Sequence, residues 1–86
     1  MTKFVFTISH PAELNPKTAG QLVKEALGCT GRVTIRKGEK SGDAKLIFHV
    51  LSLSIKPGEE VELSVEGEKE EEEIRQLQEF VNEYLR

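Results

Sequence analysis

Few side chains in this sequence could do chemistry, and they do not stand in the patterns that enzymes use. The chain has two histidines, His10 and His49, and one cysteine, Cys29. An imidazole changes protonation near neutral pH, so both histidines are candidate reactive groups. A lone cysteine cannot form an internal disulfide, and these three residues lack zinc-site spacing. Because no nucleophile with a base, carboxylate pair or glycine-rich phosphate loop is present, we expect no enzyme, no metal and no cofactor.

Composition and charge set the broad class of protein. The 86 residues are 37% hydrophobic and 31% charged, with a net charge of −3, which predicts one soluble domain over residues 1–86. No apolar run approaches the length of a membrane span, and the first residues do not resemble a signal peptide. We therefore expect a cytoplasmic protein that does not enter membranes. The acidic charge and the lack of a basic stripe argue against binding of nucleic acid.

Four segments have patterns typical of β-strands. Alternating apolar and polar residues predict half-buried strands at 3–8, 32–37 and 60–66. A turn at 38–40 precedes a short returning strand at 41–43. The outward residues of the last strand are acidic, whereas the first two long strands carry basic ones. Pairing of opposite charges across strands favours placing the acidic strand between the basic ones.

Three segments have the helical period instead. Asn15 is a good N-cap, Pro16 suits the first helical position, and Gly28 is expected to end this helix in the left-handed conformation. A shorter helix is predicted at 45–52 and a last one at 69–85, whose run of carboxylates at 70–73 is predicted to be a solvated first turn. The predicted apolar stripes are Ala19, Leu22, Val23, Ala26 and Leu27; Leu46, Ile47, Val50 and Leu51; and Ile74, Leu77, Val81, Tyr84 and Leu85.

The element order is strand, helix, strand, strand, helix, strand, helix, which predicts a sheet covered on one face. This order resembles HPr, the small phosphocarrier of the bacterial sugar phosphotransferase system, as do the stretches at 6–8, 21–26, 44–48 and 61–68. The resemblance spans essentially the whole chain. It implies an α+β open-faced sandwich (βαββαβα), in which a four-stranded antiparallel sheet is covered on one face by three helices and the fourth strand lies between the first and second.

The first signature of that family is a histidine, alanine, arginine, proline run that opens the first helix. In the family the histidine takes a phosphoryl group from enzyme I and passes it to sugar-specific proteins. The matching residues here are Asn15, Pro16, Lys17 and Thr18. A carboxamide is not a nucleophile, Pro16 removes an N–H from the anion site, and Lys17 lacks the planar fork of arginine. The resemblance therefore implies that the phosphoacceptor is missing and that this corner is an ordinary helix cap.

The second signature is a serine at the start of the second helix, which a regulatory kinase phosphorylates in many Gram-positive relatives. Leu46 stands at that place, so the resemblance implies that this switch is absent too. The resemblance also implies that a docking surface for proteins is retained. The implied partners are enzyme I, sugar-specific phosphotransferase components or a transcriptional regulator. The partner-binding residues implied in this way are Leu14, Asn15, Lys17, Gln21, Ile47, Phe48 and Leu51.

Three functions are compatible with these residues. The first is a phosphoryl-incompetent HPr-like protein that acts as a regulatory or protein-binding module. The second is a working phosphocarrier in which His10 or His49 is a substitute phosphoacceptor. The third is a reversible sensor of small anions that uses Lys17 and the helix N-terminus. We favour the first, because the scaffold and the docking residues are retained and the nucleophile is not.

Overall fold

The computed structural model describes residues 1–9 and 15–85, and it has the element order that the sequence predicts. The strands are β1 (Thr2–Thr7), β2 (Arg32–Lys37), β3 (Lys40–Asp43) and β4 (Glu60–Glu66), and the helices are α1 (Pro16–Leu27), α2 (Ile47–Ser52) and α3 (Glu70–Tyr84). The predicted bounds of β2 and β4 are confirmed. Helix α2 begins two residues later than predicted, because the backbone of Leu46 is extended (φ −117°, ψ 114°).

The four strands form one antiparallel sheet in the order β1-β4-β2-β3. The acidic strand β4 thus lies between the two basic strands, as the charges predict. Glu66 and Glu62 of β4 lie opposite Arg32 and Arg36 of β2, and the Lys3 ammonium of β1 is 3.9 Å from the Glu62 carboxylate. Exposed pairs of this kind contribute about 0.5 kcal/mol each. They help to set the strand order, while the stability comes from the other face.

That other face packs its apolar side chains under the three helices, which confirms the predicted open-faced sandwich. The buried residues of the sheet are Phe6, Val33, Ile35, Val61, Leu63 and Val65, and those of the helices are Ala19, Leu22, Val23, Ala26, Val50, Ile74, Leu77, Phe80 and Val81. Covering this face removes the apolar surface of every long strand from water, at roughly 25 cal/mol for each Å² buried.

Three residues of the predicted apolar stripes lie outside the core. Leu46 is 49% exposed and precedes the first turn of α2. Leu27 is 61% exposed, because it lies roughly a quarter turn from the centre of the α1 stripe, and Cys29 is buried after the helix ends. Tyr84 is 47% exposed, and Phe80, which the predicted stripe omits, is buried in its place. The two rings pack together with their centroids 5.1 Å apart.

Gly28 ends α1 in the right-handed conformation (φ −75°, ψ −10°), so the prediction of a left-handed residue was wrong. The N–H of Gly28 donates to the carbonyl oxygen of Glu25 at 3.1 Å, and that of Cys29 donates to Ala26 at 3.0 Å. These bonds tighten the last turn and satisfy its carbonyl groups, so no left-handed residue is required there.

A buried carboxylate joins the first turn of α3 to the connection between α1 and β2. Glu73 is 5% exposed. It accepts hydrogen bonds from the N–H of Thr30 at 2.6 Å, the hydroxyl of Thr30 at 3.0 Å and the N–H of Gly31 at 3.1 Å. The prediction of a solvated first turn was therefore wrong for Glu73, which lies on the side of α3 that carries Leu77. A buried carboxylate is stable here because three donors replace its water.

The same connection is fixed from two further directions. The Lys45 ammonium donates to the carbonyl oxygen of Cys29 at 2.8 Å. A Cβ on Gly31 would lie 2.7 Å from the carbonyl oxygen of Glu66, and one on Gly67 would lie 2.8 Å from the Cα of Gly31. Only glycine fits this close approach of two backbones. The path from α1 to β2 is thus held beside the end of β4.

Burial raises the pKa of Glu73, and the hydrogen bonds from Thr30 and Gly31 more than offset this, so its pKa lies below the usual range. A carboxyl whose pKa is lower in the folded than in the unfolded chain stabilises the fold at every pH above its unfolded pKa. That contribution is lost as the pH falls from about 4.3, the ordinary glutamate value, through the folded pKa.

We expect Glu73→Gln to lower the free energy of unfolding by about 2 kcal/mol at neutral pH, because an amide cannot accept all three hydrogen bonds. Glu72→Gln makes the same charge change on the exposed side of the same turn and should cost less than about 0.5 kcal/mol. Urea unfolding followed by circular dichroism measures both. The difference in the free energy of unfolding between wild type and Glu73→Gln should shrink below about pH 4. A difference that is unchanged in acid contradicts the lowered pKa of Glu73.

Candidate functional site

The first turn of α1 closes on itself through Asn15 and Thr18. Asn15 is the N-cap, with an extended backbone (φ −86°, ψ 176°), and Pro16 is the first helical residue. The Asn15 Oδ1 accepts a hydrogen bond from the N–H of Thr18 at 2.9 Å, and the Thr18 Oγ1 accepts one from the N–H of Asn15 at 3.0 Å. The predicted places of Asn15 and Pro16 are confirmed. The side chains of Asn15 and Thr18 form a reciprocal capping box.

This cap uses the backbone groups that could otherwise hold an anion. An anion at a helix N-terminus is bound by the N–H groups of the first turn. Pro16 has none, the N–H of Thr18 is bound to the Asn15 side chain, and that of Ala19 donates to the Asn15 carbonyl oxygen at 2.8 Å. Among the described residues of this turn, only the N–H of Lys17 has no such bond. The side chain of Lys17 is exposed, and its ammonium is a point charge beside a helix end whose other N–H groups are already bonded.

Helix α2 carries an exposed apolar side chain. Phe48 is 82% exposed, and its neighbours Ile47 and Leu51 are half-buried and pack against the core. We call Ile47, Phe48 and Leu51 the α2 patch. No lysine, arginine, aspartate or glutamate occurs within α2. A large aromatic ring left in water on an uncharged helix makes this surface a candidate contact site for another molecule.

The α2 patch adjoins the first half of α1. A Cβ on Gly20 would lie 3.8 Å from the Ile47 Cδ1, which is ordinary packing distance. Lys17 precedes Gly20 by three residues and lies on the same side of α1. Gln21 follows Gly20 and lines a shallow cavity with Tyr84 of α3. Lys17 also precedes Gln21 by four residues, so it lies between the side of α1 that packs on the patch and the side that faces α3.

His49 lies on the other side of α2, against β3. The backbone N–H of Asp43 donates to the Nδ1 of His49 at 3.1 Å, and a Cβ on Gly42 would come within 2.9 Å of the His49 Cβ. A neutral imidazole that accepts at Nδ1 carries its proton on Nε2, so neither nitrogen has a free lone pair. His49 and Ile47 are two residues apart and lie on opposite sides of the helix. His49 therefore does not face the start of α1.

Leu46 occupies the place at which the family resemblance implies a regulatory serine. It is the N-cap of α2, and its side chain makes no capping hydrogen bond. Leucine has no hydroxyl with which to cap a helix or to accept a phosphoryl group. The two other site residues predicted from the sequence, His10 and Leu14, lie outside the described residues.

The sequence did not predict the roles of Thr18 and Asp43. A capping box is recognised by glutamate or glutamine at the third helical position, and Thr18 stands there instead. Asp43 belongs to β3, so its contact with His49 exists only because α2 packs over that strand. No local pattern in the sequence marks either contact.

In residues 1–9 and 15–85, no group of three or more His, Cys, Asp or Glu side chains could hold a metal ion. No helix in this part of the chain has the length and apolar character needed to cross a membrane.

A family model and several known proteins are similar to this chain in sequence. The family model described as PTS HPr component phosphorylation site matches residues 2–83. The phosphocarrier protein HPr of Lysinibacillus sphaericus is 33% identical over 72 residues, which are 84% of this chain and 82% of that protein. The HPr-like protein Crh of Bacillus subtilis is 36% identical over 70 residues, which are 81% and 82% of the two chains.

The solved structures agree with the sequences. The crystal structure of HPr-C-His from Thermoanaerobacter tengcongensis superposes with a TM-score of 0.91 at 28% identity, over 98% of this chain and 94% of that one. Sequence, strand order and helix placement together show that this chain belongs to the HPr family.

Proposed function

We propose that this chain is an HPr-like protein of the phosphotransferase system that binds protein partners through the α2 patch and carries no phosphoryl group. The capping box at Asn15 is the observation that carries this proposal. The sequence resemblance matches Asn15 to the phosphoacceptor histidine of the family. Where an imidazole would be needed, an amide oxygen accepts a hydrogen bond from Thr18.

Phosphoryl transfer to a side chain needs a nucleophilic lone pair on that side chain. The nitrogen lone pair of a carboxamide is delocalised into its carbonyl group, so Asn15 cannot attack a phosphorus atom. The capping box also disfavours reversible binding of an anion at this helix end. An anion that took the N–H of Thr18 would have to displace the Asn15 side chain, and loss of a cap costs about 1 kcal/mol.

A substitute phosphoacceptor finds no support at His49. Its Nδ1 accepts the N–H of Asp43, and its ring packs against β3 rather than beside α1. Phosphorylation at that nitrogen would break this contact and leave a backbone N–H of β3 without its acceptor, which is unfavourable. The docking module is therefore the function that the described residues favour.

The α2 patch supplies the binding energy in this account. A partner that covers Phe48 removes a side chain that is 82% exposed from water, a contribution on the order of 2 kcal/mol. Enzyme I, sugar-specific phosphotransferase components and a transcriptional regulator are the partner classes that the family resemblance implies. With Leu46 in place of the serine, phosphorylation at that position cannot switch the binding on or off.

The first prediction from the proposed function concerns phosphoryl transfer. Wild-type protein incubated with enzyme I and labelled phosphoenolpyruvate should gain no acid-labile phosphate. A variant with Asn15→His, Pro16→Ala, Lys17→Arg and Thr18→Pro restores the family signature beside an unchanged α2 patch and should become labelled. Adding Phe48→Ala to that variant should slow the labelling.

Each result of that experiment bears on one part of the account. Label in the wild type that is lost in His10→Gln or His49→Gln would show a working carrier and overturn the proposal. A folded restored variant that gains no label, as judged by circular dichroism and an ordinary HPr control, would show that the docking surface does not serve enzyme I.

The second prediction concerns the α2 patch alone. Phe48→Ala should change the free energy of unfolding by less than about 0.5 kcal/mol, because the ring is exposed. It should weaken binding to enzyme I about tenfold, measured by calorimetry. Leu27→Ala removes an exposed apolar side chain at the far end of α1 and is the matched control. Equal affinity of Phe48→Ala and wild type would rule out the α2 patch as the binding surface.

A further inference from the structure

A second surface lies between α1 and α3, away from the α2 patch. Two shallow cavities of about 300 and 220 Å³ share Glu25, Phe80 and Tyr84 and form one groove. Gln76, Glu79 and Glu83 of α3 line the same groove. We call this the α1–α3 groove. It faces away from Gly20, the residue at which α1 touches α2.

The floor of the groove is aromatic. Phe80 is buried and forms the base, while Tyr84 is 47% exposed and packs against it with a centroid distance of 5.1 Å. The α3 stripe would bury a tyrosine at this position, yet the ring lies at the rim and half in water. A half-exposed aromatic face is a surface on which a cation can rest.

The walls of the groove are mostly acidic. Glu25, Glu79 and Glu83 line it, and Lys24 is the one basic residue among the lining side chains. The ion pairs formed by residues 1–9 and 15–85 involve other carboxylates. These three carboxylates are therefore available to a positively charged partner.

The placement of the two α3 carboxylates works against the helix itself. Glu79 and Glu83 are four residues apart, where like charges repel, and Arg75, four residues before Glu79, offsets only part of this. The two glutamates also lie toward the negative end of the helix dipole, and the last turn of α3 carries no basic residue. Local choices that oppose the fold are expected where function selects them. Glu25, brought to the same groove from α1, adds a third like charge.

We propose that the α1–α3 groove docks a basic segment of a protein partner. An arginine or lysine side chain of that segment lies across the Tyr84 ring, with its charge between Glu25 on one wall and Glu79 and Glu83 on the other. Charge complementarity selects this occupant, because an acidic segment or nucleic acid would meet three carboxylates against the single lysine of the groove, Lys24. Since α1 separates the groove from the α2 patch, the chain can hold two partners at once and bridge them.

The test uses a fluorescein-labelled peptide of arginine, lysine and alanine, and the same peptide with glutamine in place of every basic residue. Fluorescence anisotropy at physiological ionic strength should detect binding of the basic peptide only. Glu79→Gln with Glu83→Gln should weaken that binding about tenfold. Tyr84→Leu should weaken it severalfold, whereas Tyr84→Phe, which keeps the ring, should bind within about twofold of wild type.

The matched control is Glu68→Gln with Glu71→Gln, which makes the same change in net charge at exposed positions. Glu71 lies about 12 Å along α3 from Glu79, beyond the screening length of about 8 Å. We expect this control to bind like wild type. Equal weakening by the two double variants would show that the peptide responds to the net charge of the protein and not to the groove. That result, or no binding of the basic peptide, would overturn the proposal. Self-association of the protein that Glu79→Gln with Glu83→Gln abolishes would make a second copy the occupant, and would overturn it as well.

Discussion

The buried carboxylate of Glu73 is the interaction on which the placement of both long helices depends. It ties the start of α3 to the two residues that follow α1, at 2.6 Å and 3.1 Å from their N–H groups. The close approach of the Gly31 backbone to the carbonyl group of Glu66 fixes the course of the connection between α1 and β2. Fixing the end of α1 beside the start of α3 makes the two helices antiparallel neighbours. The start of α1, the side of α1 that meets α2 and the groove facing α3 follow from that one arrangement.

A helix N-terminus has backbone N–H groups that must be satisfied, and they can be satisfied by the chain itself or by a bound anion. In this chain the side chains of Asn15 and Thr18 satisfy them reciprocally, and Pro16 removes one donor altogether. A phosphocarrier needs the opposite choice, with donors left for the phosphoryl group and a nucleophile beside them. In the proposed function, these residues form a capped helix end in place of a reactive one, and the exposed Phe48 on α2 is the surface that binds proteins.

The element order was predictable because it depends on short-range patterns, and the strand order because the family resemblance implies it and the strand charges favour it. Alternation marks the strands, and the acidic outward face of β4 indicates its place between β1 and β2. Asn15 and Pro16 were likewise predictable, since capping depends on residue types at adjacent positions. The burial of Glu73, the exposure of Tyr84 and the engagement of His49 were not, because each depends on which element packs against it. A run of glutamates has the same appearance in the sequence whether its last member meets water or the N–H groups of Thr30 and Gly31.

The most direct measurement is competition for enzyme I. Limiting enzyme I transfers labelled phosphate to ordinary HPr while an increasing excess of this protein is added. Docking without phosphoryl chemistry predicts that labelling of HPr slows in proportion to the added protein, and that the added protein stays unlabelled. Labelling of the added protein would contradict the claim that its chemistry is lost, and undiminished labelling of HPr at every excess would contradict the claim that it docks.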